Sequence, residues 1–155
     1  MATEIEHKFL VFKNIWKKVI PDKSVEIKQA YLLTDPEKTI RVRTKGNSGF
    51  ITIKGKSNGA IRLEFEYEIP IEDANELINK FCSNLIEKTR HIVIHDDNTW
   101  EVDEFKGLNE GLIVAEIELT CEDEKYSIPN WIDKNVTEDL RYANSNLTIK
   151  PFTTW

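Results

Sequence analysis

Acidic or basic residues alternate with other residues in six short segments of this 155-residue chain. They are Glu4-Ile5-Glu6-His7-Lys8, Arg41-Val42-Arg43-Thr44-Lys45, Lys54-Gly55-Lys56, Arg62-Leu63-Glu64-Phe65-Glu66-Tyr67-Glu68, Lys88-Thr89-Arg90 and Glu116-Ile117-Glu118. Successive side chains of a strand point to opposite faces, so each segment predicts a strand with one charged face and, in most cases, one apolar face. The wider pattern predicts strands over residues 4–11, 25–33, 39–45, 50–56, 61–69, 86–95, 99–105 and 112–120. Turn signals separate several of them: Asp35-Pro36, Gly46-Asn47-Ser48-Gly49, Ser57-Asn58-Gly59 and Asp96-Asp97-Asn98. One stretch breaks the period. Ala74, Leu77, Ile78, Phe81 and Leu85 recur at helical spacing, which predicts an amphipathic helix over 72–85. A short helix is expected over 13–20, ended before Pro21, and short helical turns over 136–142 and 146–149.

Eight mostly antiparallel strands with short connections fit a mainly β fold, α+β by content: a closed eight-stranded antiparallel β-barrel with peripheral helices. Closure removes both exposed edges. Eight strands leave an interior wide enough for side chains or one small ligand. In an ordinary soluble barrel the apolar face fills the lumen. Here the helix 72–85 and the tail can cover an apolar outside, which turns the charged face into the lining of a tunnel. The length fits a single domain over 1–155.

Composition narrows the function. Charged residues are 31 % and hydrophobic residues 40 %, a globular balance. The net charge of −6 argues against bulk binding of nucleic acid, while leaving room for a local cationic pocket. No apolar run approaches the roughly 18 residues of a membrane span, and the acidic N-terminus lacks the apolar core of a signal peptide. Cys82 and Cys121 have no metal-ligand or redox spacing and read as reduced, buried thiols of a cytoplasmic protein. Oligomeric state is left open, a homodimer included.

The charged faces carry candidate chemistry. Glu4 and Glu6 lie about 7 Å apart on one strand face, and Glu116 and Glu118 repeat the device. Such hard oxygen ligands suit Mg²⁺ or Mn²⁺. Glu64 and Glu66 can supply a second metal site or orient bases, and Glu101 and Asp103 can do the same. Arg41, Arg43, Lys54, Lys56, Arg62, Lys88 and Arg90 form the opposing set, suited to phosphate oxygens. Tyr31 can place a hydroxyl in the cavity beside Lys8. His7, His91 and His95 read as outer-face residues. No glycine-rich phosphate loop, Ser/His/Asp set or zinc motif is present.

Glu4-Ile5-Glu6-His7-Lys8 resembles the ExExK signature of the CYTH, or triphosphate tunnel metalloenzyme, superfamily. The resemblance runs in order through Arg41/Arg43, Thr52-Ile53-Lys54, Glu64-Phe65-Glu66-Tyr67-Glu68, Glu87-Lys88-Thr89-Arg90, Trp100-Glu101-Val102-Asp103, Ala115-Glu116-Ile117-Glu118 and 136–142, so it covers nearly the whole chain. It implies an eight-stranded tunnel, a divalent metal and a small-molecule triphosphate substrate. Among the family's activities, hydrolysis of inorganic tripolyphosphate fits best, because the chain shows no appended domain and no assignable aromatic clamp for a base. Adenylyl cyclase, thiamine or nucleoside triphosphatase, and a non-catalytic triphosphate-binding module are the alternatives. The expected metal ligands are Glu4, Glu6 and Glu118 with Glu116. Lys8 with Tyr31, or else Lys88, is expected to activate water.

Overall fold

The structure is a computed structural model that describes residues 3–155. Its strands are β1 (Thr3–Val11), β2 (Lys23–Leu33), β3 (Lys38–Lys45), β4 (Ser48–Gly55), β5 (Ile61–Ile69), β6 (Ser83–His95), β7 (Asn98–Phe105), β8 (Ile113–Glu118) and β9 (Ile132–Asn135). Three short helices are interposed: α1 (Lys13–Trp16), α2 (Ile71–Phe81) and α3 (Asn144–Ile149). The sheet runs β5-β4-β3-β2-β6-β7-β8-β1, and β5 pairs back onto β1, so eight antiparallel strands close into the expected barrel. The closing seam is short: Thr3, Glu4 and Ile5 face Leu63, Arg62 and Ile61. The same edge of β1 carries β9 farther along, a strand the sequence pattern did not reveal.

Register determines which face is inside. Glu6 stands opposite Glu118, Lys8 opposite Glu116, Lys54 opposite Glu64, Tyr31 opposite Arg41 and Arg90 opposite Asp103. With a period of two, the charged segments therefore turn their charges the same way, into the lumen, Lys56 excepted. The apolar positions turn outward and need cover. Phe9, Trp16, Val93, Trp100, Val102, Ala115, Ile117, Trp131 and Ile132 pack together on the outside of β1, β6, β7 and β8. Edge-on contacts join the rings: Phe9 to Trp100 and Trp100 to Trp131 lie 5.6 and 5.8 Å apart. That cover comes from α1, β9 and residues 119–131. On the other side α2 lies over β2, β3 and β4. Its close approach depends on small residues: a methyl group at Gly49 would stand 2.7 Å from the Ala74 Cβ.

The tail does not cover the outside. Tyr142 and Leu147 pack against Ile86, Phe105 and Val114, with Leu10 beside them, and these strand residues are inward-facing by register. The tail thus plugs the mouth at which β1, β2, β4 and β7 end. Other differences are local. The helix α2 ends at Phe81, earlier than the expected 85, and β6 begins at Ser83. Of the expected apolar stripe only Ala74 is buried, and Phe81 is 70 % exposed. The first helix is α1 alone rather than 13–20. Cys82 is half-buried and Cys121 exposed, so neither is the buried thiol expected.

Candidate functional site

The lumen holds a cavity of about 210 Å³ with an almost wholly polar lining. Glu4, Glu6 and Lys8 reach it from β1, Tyr31 from β2, Arg41 and Arg43 from β3, Lys54 from β4, and Arg62, Glu64 and Glu66 from β5. Lys88 and Arg90 come from β6, and Glu116 and Glu118 from β8. The acids therefore cluster on β1, β5 and β8, and most of the bases face them from β3, β4 and β6. Two predicted residues fall elsewhere. Lys56 follows the end of β4, where alternation no longer directs a side chain inward; it is 68 % exposed and pairs with Glu37 at 3.4 Å. Asp103 is inward-facing but lies beneath the cavity lining, with its oxygens taken by bases.

Asp103 is the counter-ion on which two bases rest. Arg90 grips it through Nε at 2.8 Å and Nη2 at 2.9 Å, and Lys88 Nζ lies 2.8 Å away. Lys88 and Asp103 are each 1 % exposed. Burial alone would raise the Asp103 pKa, but Arg90 and Lys88 together hold it below the usual carboxylate range. Burial lowers Lys88 to about 8 despite Asp103. It also donates to Asn144 Oδ1 at 3.0 Å. Glu66 serves the other pair of bases, accepting from Arg41 Nη2, Arg43 Nη2 and Thr52 Oγ1. Yet the Nε–H groups of Arg41 and Arg43 are buried with no partner, as is the Gln29 Oε1. A buried unpaired donor is costly, and a charged one more so. Burial lowers the Arg43 guanidinium to about 10, with Arg41 adding to the effect.

The carboxylates show the opposite imbalance. Burial, first, and the neighbouring Glu116 and Glu4 push Glu6 well above its ordinary pKa. Glu6 donates its proton to Glu116, which Lys8 and that hydrogen bond hold down at about 2 against the pull of burial. Glu4 is raised to about 7, by burial first, and it donates to Glu64. Lys54 Nζ bridges this second pair, 3.1 Å from Glu4 and 3.1 Å from Glu64. Burial also raises Glu118. Among the described residues no three acids, histidines or cysteines already surround a common point. Two proton-sharing carboxyl pairs do, however, face one cavity, and a hard divalent cation is the species that replaces shared protons between oxygen ligands. The donor set fits Mg²⁺ or Mn²⁺, with Glu4, Glu6, Glu116 and Glu118 as the residues able to hold it and Glu64 next to them.

The raised acids have a consequence for stability. The folded protein holds a proton on Glu4 up to about pH 7, whereas the unfolded chain releases it near 4.5. This contribution is therefore complete below about 4.5 and is lost as pH rises through 7, a swing of roughly 3 kcal/mol for the metal-free protein. Asp103 and Glu116 act oppositely, since their depressed pKa values favour the fold above the ordinary range and fail in acid. Metal-free protein is thus expected to melt highest near pH 5. Mg²⁺ is expected to raise its melting temperature more at pH 8 than at pH 5, as read by scanning calorimetry with and without EDTA; an equal rise at both would contradict proton displacement.

Some lining residues carried no usable sequence signal. Asn144 and Ser145 reach the cavity from the tail, and Thr39 from β3. Lys8 Nζ also donates to the Tyr142 carbonyl at 3.3 Å. An isolated Asn-Ser in a polar tail looks like any loop. The histidines do face outward: His7 meets the Tyr126 hydroxyl, His91 meets Ser24 and His95 meets Ser127.

Known proteins are similar to this chain. The profile of a family described as the CYTH domain matches residues 2–150. An inorganic triphosphatase of Acetivibrio thermocellus is 46 % identical over 153 residues, covering 98 % of this chain and 97 % of that protein. An inorganic triphosphatase of Nitrosomonas europaea is 33 % identical, covering 95 % of this chain and 97 % of its own. A crystal structure of an inorganic triphosphatase superposes with a TM-score of 0.65 at 32 % identity, covering 96 % of both chains.

Proposed function

The chain belongs to the CYTH domain family, and we propose that it hydrolyses inorganic tripolyphosphate to pyrophosphate and phosphate with the help of Mg²⁺ or Mn²⁺. The observation that carries this reading is one cavity lined on one side by Arg41, Arg43, Lys54, Lys88 and Arg90 and on the other by a set of carboxyl pairs. One wall wants an anion and the other a cation, and a metal-bound triphosphate supplies both. The cavity's size favours the bare polyphosphate. At about 210 Å³ it is smaller than the roughly 300–1,000 Å³ of ordinary organic-ligand sites. Among the described residues lining it, Tyr31 is the one aromatic ring.

Arg41, Arg43, Arg62, Lys54, Lys88 and Arg90 bind the phosphate oxygens. Lys88, with Asp103 and Asn144 taking two of its N–H groups, directs its third into the cavity. Asp103 and Glu66 hold four bases in place, so little reorganisation is needed when charge builds on the transferring phosphoryl group. Glu4, Glu6, Glu116 and Glu118 would hold the cation, which when bound neutralises charge on bridging oxygens. Lys8 and Tyr31, on β1 and β2, orient the attacking water, whose proton ends on a phosphate oxygen of the product. The site works in the cytoplasm, where Cys82 and Cys121 remain free thiols.

A phosphate-release assay with tripolyphosphate, ATP and thiamine triphosphate, each with Mg²⁺, Mn²⁺ or EDTA, tests the reading. Tripolyphosphate is expected to be cleaved with kcat/KM at least about tenfold above ATP, a gap of ~1.4 kcal/mol. EDTA is expected to abolish turnover. Cyclic AMP as the main product from ATP, with tripolyphosphate intact, would replace it with the cyclase assignment. Tight binding without release would leave a binding module.

A further inference from the structure

Two lysines of the cavity lean on one short piece of the tail. Lys8 Nζ donates to the Tyr142 carbonyl at 3.3 Å, and Lys88 Nζ donates to Asn144 Oδ1 at 3.0 Å. Only Ala143 separates the two acceptors in the chain. The segment is anchored on both sides of Asn144. Tyr142 and Leu147 are buried in the cluster with Ile86, Phe105 and Val114. The Tyr142 and Ala143 N–H groups donate to the carbonyls of Asp139 and Leu140, and the Leu147 N–H donates to the Ala143 carbonyl. The chain on either side therefore fixes where Asn144 stands. Its side chain is half-buried and lines the cavity.

A carboxamide has one acceptor end and one donor end. A protonated lysine only donates, so Lys88 settles the orientation: the oxygen faces Lys88 and the nitrogen faces away from it. Among the described residues, Nδ2 donates to no protein group, while Oδ1 is taken by Lys88. Supporting a lysine needs the oxygen alone, and the two N–H groups are surplus to that task. We infer that Asn144 is a substrate-contacting residue, its Nδ2 donating to an oxygen of the phosphoryl group drawn in by Lys8 and Lys88 while its Oδ1 aims Lys88. The inference rests on the triphosphatase reading of the same cavity and adds a residue to it. The chemistry favours a neutral donor here. Lys8, Lys88 and Arg90 already line the cavity, and a further cation would raise their mutual repulsion, whereas an amide N–H binds an anionic oxygen without doing so. The lining side chains with neutral donors are Tyr31, Thr39, Asn144 and Ser145, and of these Asn144 is the one bonded to a base. A donor fixed in advance also stabilises charge as it grows on the transferring group.

A double-mutant cycle separates contact with substrate from support of Lys88. Titration calorimetry in EDTA, where no turnover is expected, reads the affinity for tripolyphosphate. Asn144→Ala is expected to weaken it at least about fivefold. Its circular dichroism spectrum and melting temperature should stay close to wild type, because Tyr142 and Leu147 hold the segment. In a Lys88→Met background the same substitution is expected to weaken binding by a similar factor. A residue that acts only through Lys88 would have nothing left to lose there, so an unchanged affinity in that background overturns the inference. So does an Asn144→Ala protein that binds like the wild type. Asn144→Asp gives a second reading, since its carboxylate still accepts from Lys88 but lacks the N–H donors. It is expected to keep the wild-type melting temperature and to lower kcat/KM for tripolyphosphate at least about tenfold; wild-type turnover would overturn the inference. A wild type that binds tripolyphosphate and releases no phosphate would remove the hydrolase reading, and the binding cycle would still decide whether Asn144 touches the ligand.

Discussion

Glu6→Gln is expected to lower kcat/KM for tripolyphosphate by about 10²–10³-fold or more while the melting temperature holds or rises. Glu6 is buried among other acids and keeps a proton that it donates to Glu116. Glutamine preserves both the volume and that donated hydrogen bond, so the fold loses nothing. What disappears is an oxygen able to become anionic when a cation arrives. Titration calorimetry with Mg²⁺ and Mn²⁺ should show the affinity loss beside the kinetic one. Full turnover with unchanged metal affinity would remove Glu6 from the cation site. Glu118→Gln is expected to act in the same direction, and Glu4→Gln should in addition release Lys54 from its bridge between Glu4 and Glu64.

Asp103→Asn is expected to cost far more stability than any change in the cavity wall. It leaves Lys88 buried without its carboxylate and Arg90 with Glu101 alone. Breaking a buried ion pair by removing one partner typically destabilises by about 3–5 kcal/mol. For a chain of this size that lowers the melting temperature by about 10 °C. Activity should fall as well, because the two bases lose the support that aims them. Adding Lys88→Met to Asp103→Asn is expected to recover part of the stability and none of the activity, as calorimetry and a phosphate assay would show. A single variant that melts like the wild type would mean that water reaches these bases and that the site is wetter than its packing indicates.

The strands were legible because a period of two is hard to imitate. Segments such as Arg62–Glu68 leave no other element that would separate charge from apolar surface so cleanly. That the charges point inward was legible only as a choice between faces, and register resolved it: once Lys8 stands opposite Glu116, the rest of β1 and β8 follows. The places where sequence reasoning fell short are those where alternation stops. Lys56 lies one residue past Gly55, the last residue of β4, and turns outward. Asp103 obeys the alternation but sits one layer too deep, where Lys88 and Arg90 consume it; no local pattern reveals depth. Asn144 comes from 56 residues beyond Lys88 in the chain, and only folding brings the two together. The apolar helix stripe failed for a different reason. α2 meets the sheet through Gly49 and Ala74 at one end, leaving Phe81 in solvent at the other.

The short seam between β1 and β5 ties the chemistry to the order in which the barrel forms. Most neighbouring strands are also neighbours in sequence and can zip as hairpins. The seam instead joins Thr3–Ile5 to Ile61–Leu63, across a long stretch of chain and through three residue pairs. Three pairs do little to offset the loop-closure entropy of such a contact, whereas the still longer-range pairing of β1 with β8 is held by five. The barrel therefore closes late in folding, and this is where the native protein opens first. Glu4 lies on one side of that seam and Arg62 and Glu64 on the other, so any ligand gripping both sides acts as its clasp. An empty barrel is a sheet whose ends are loosely joined; an occupied one is a ring.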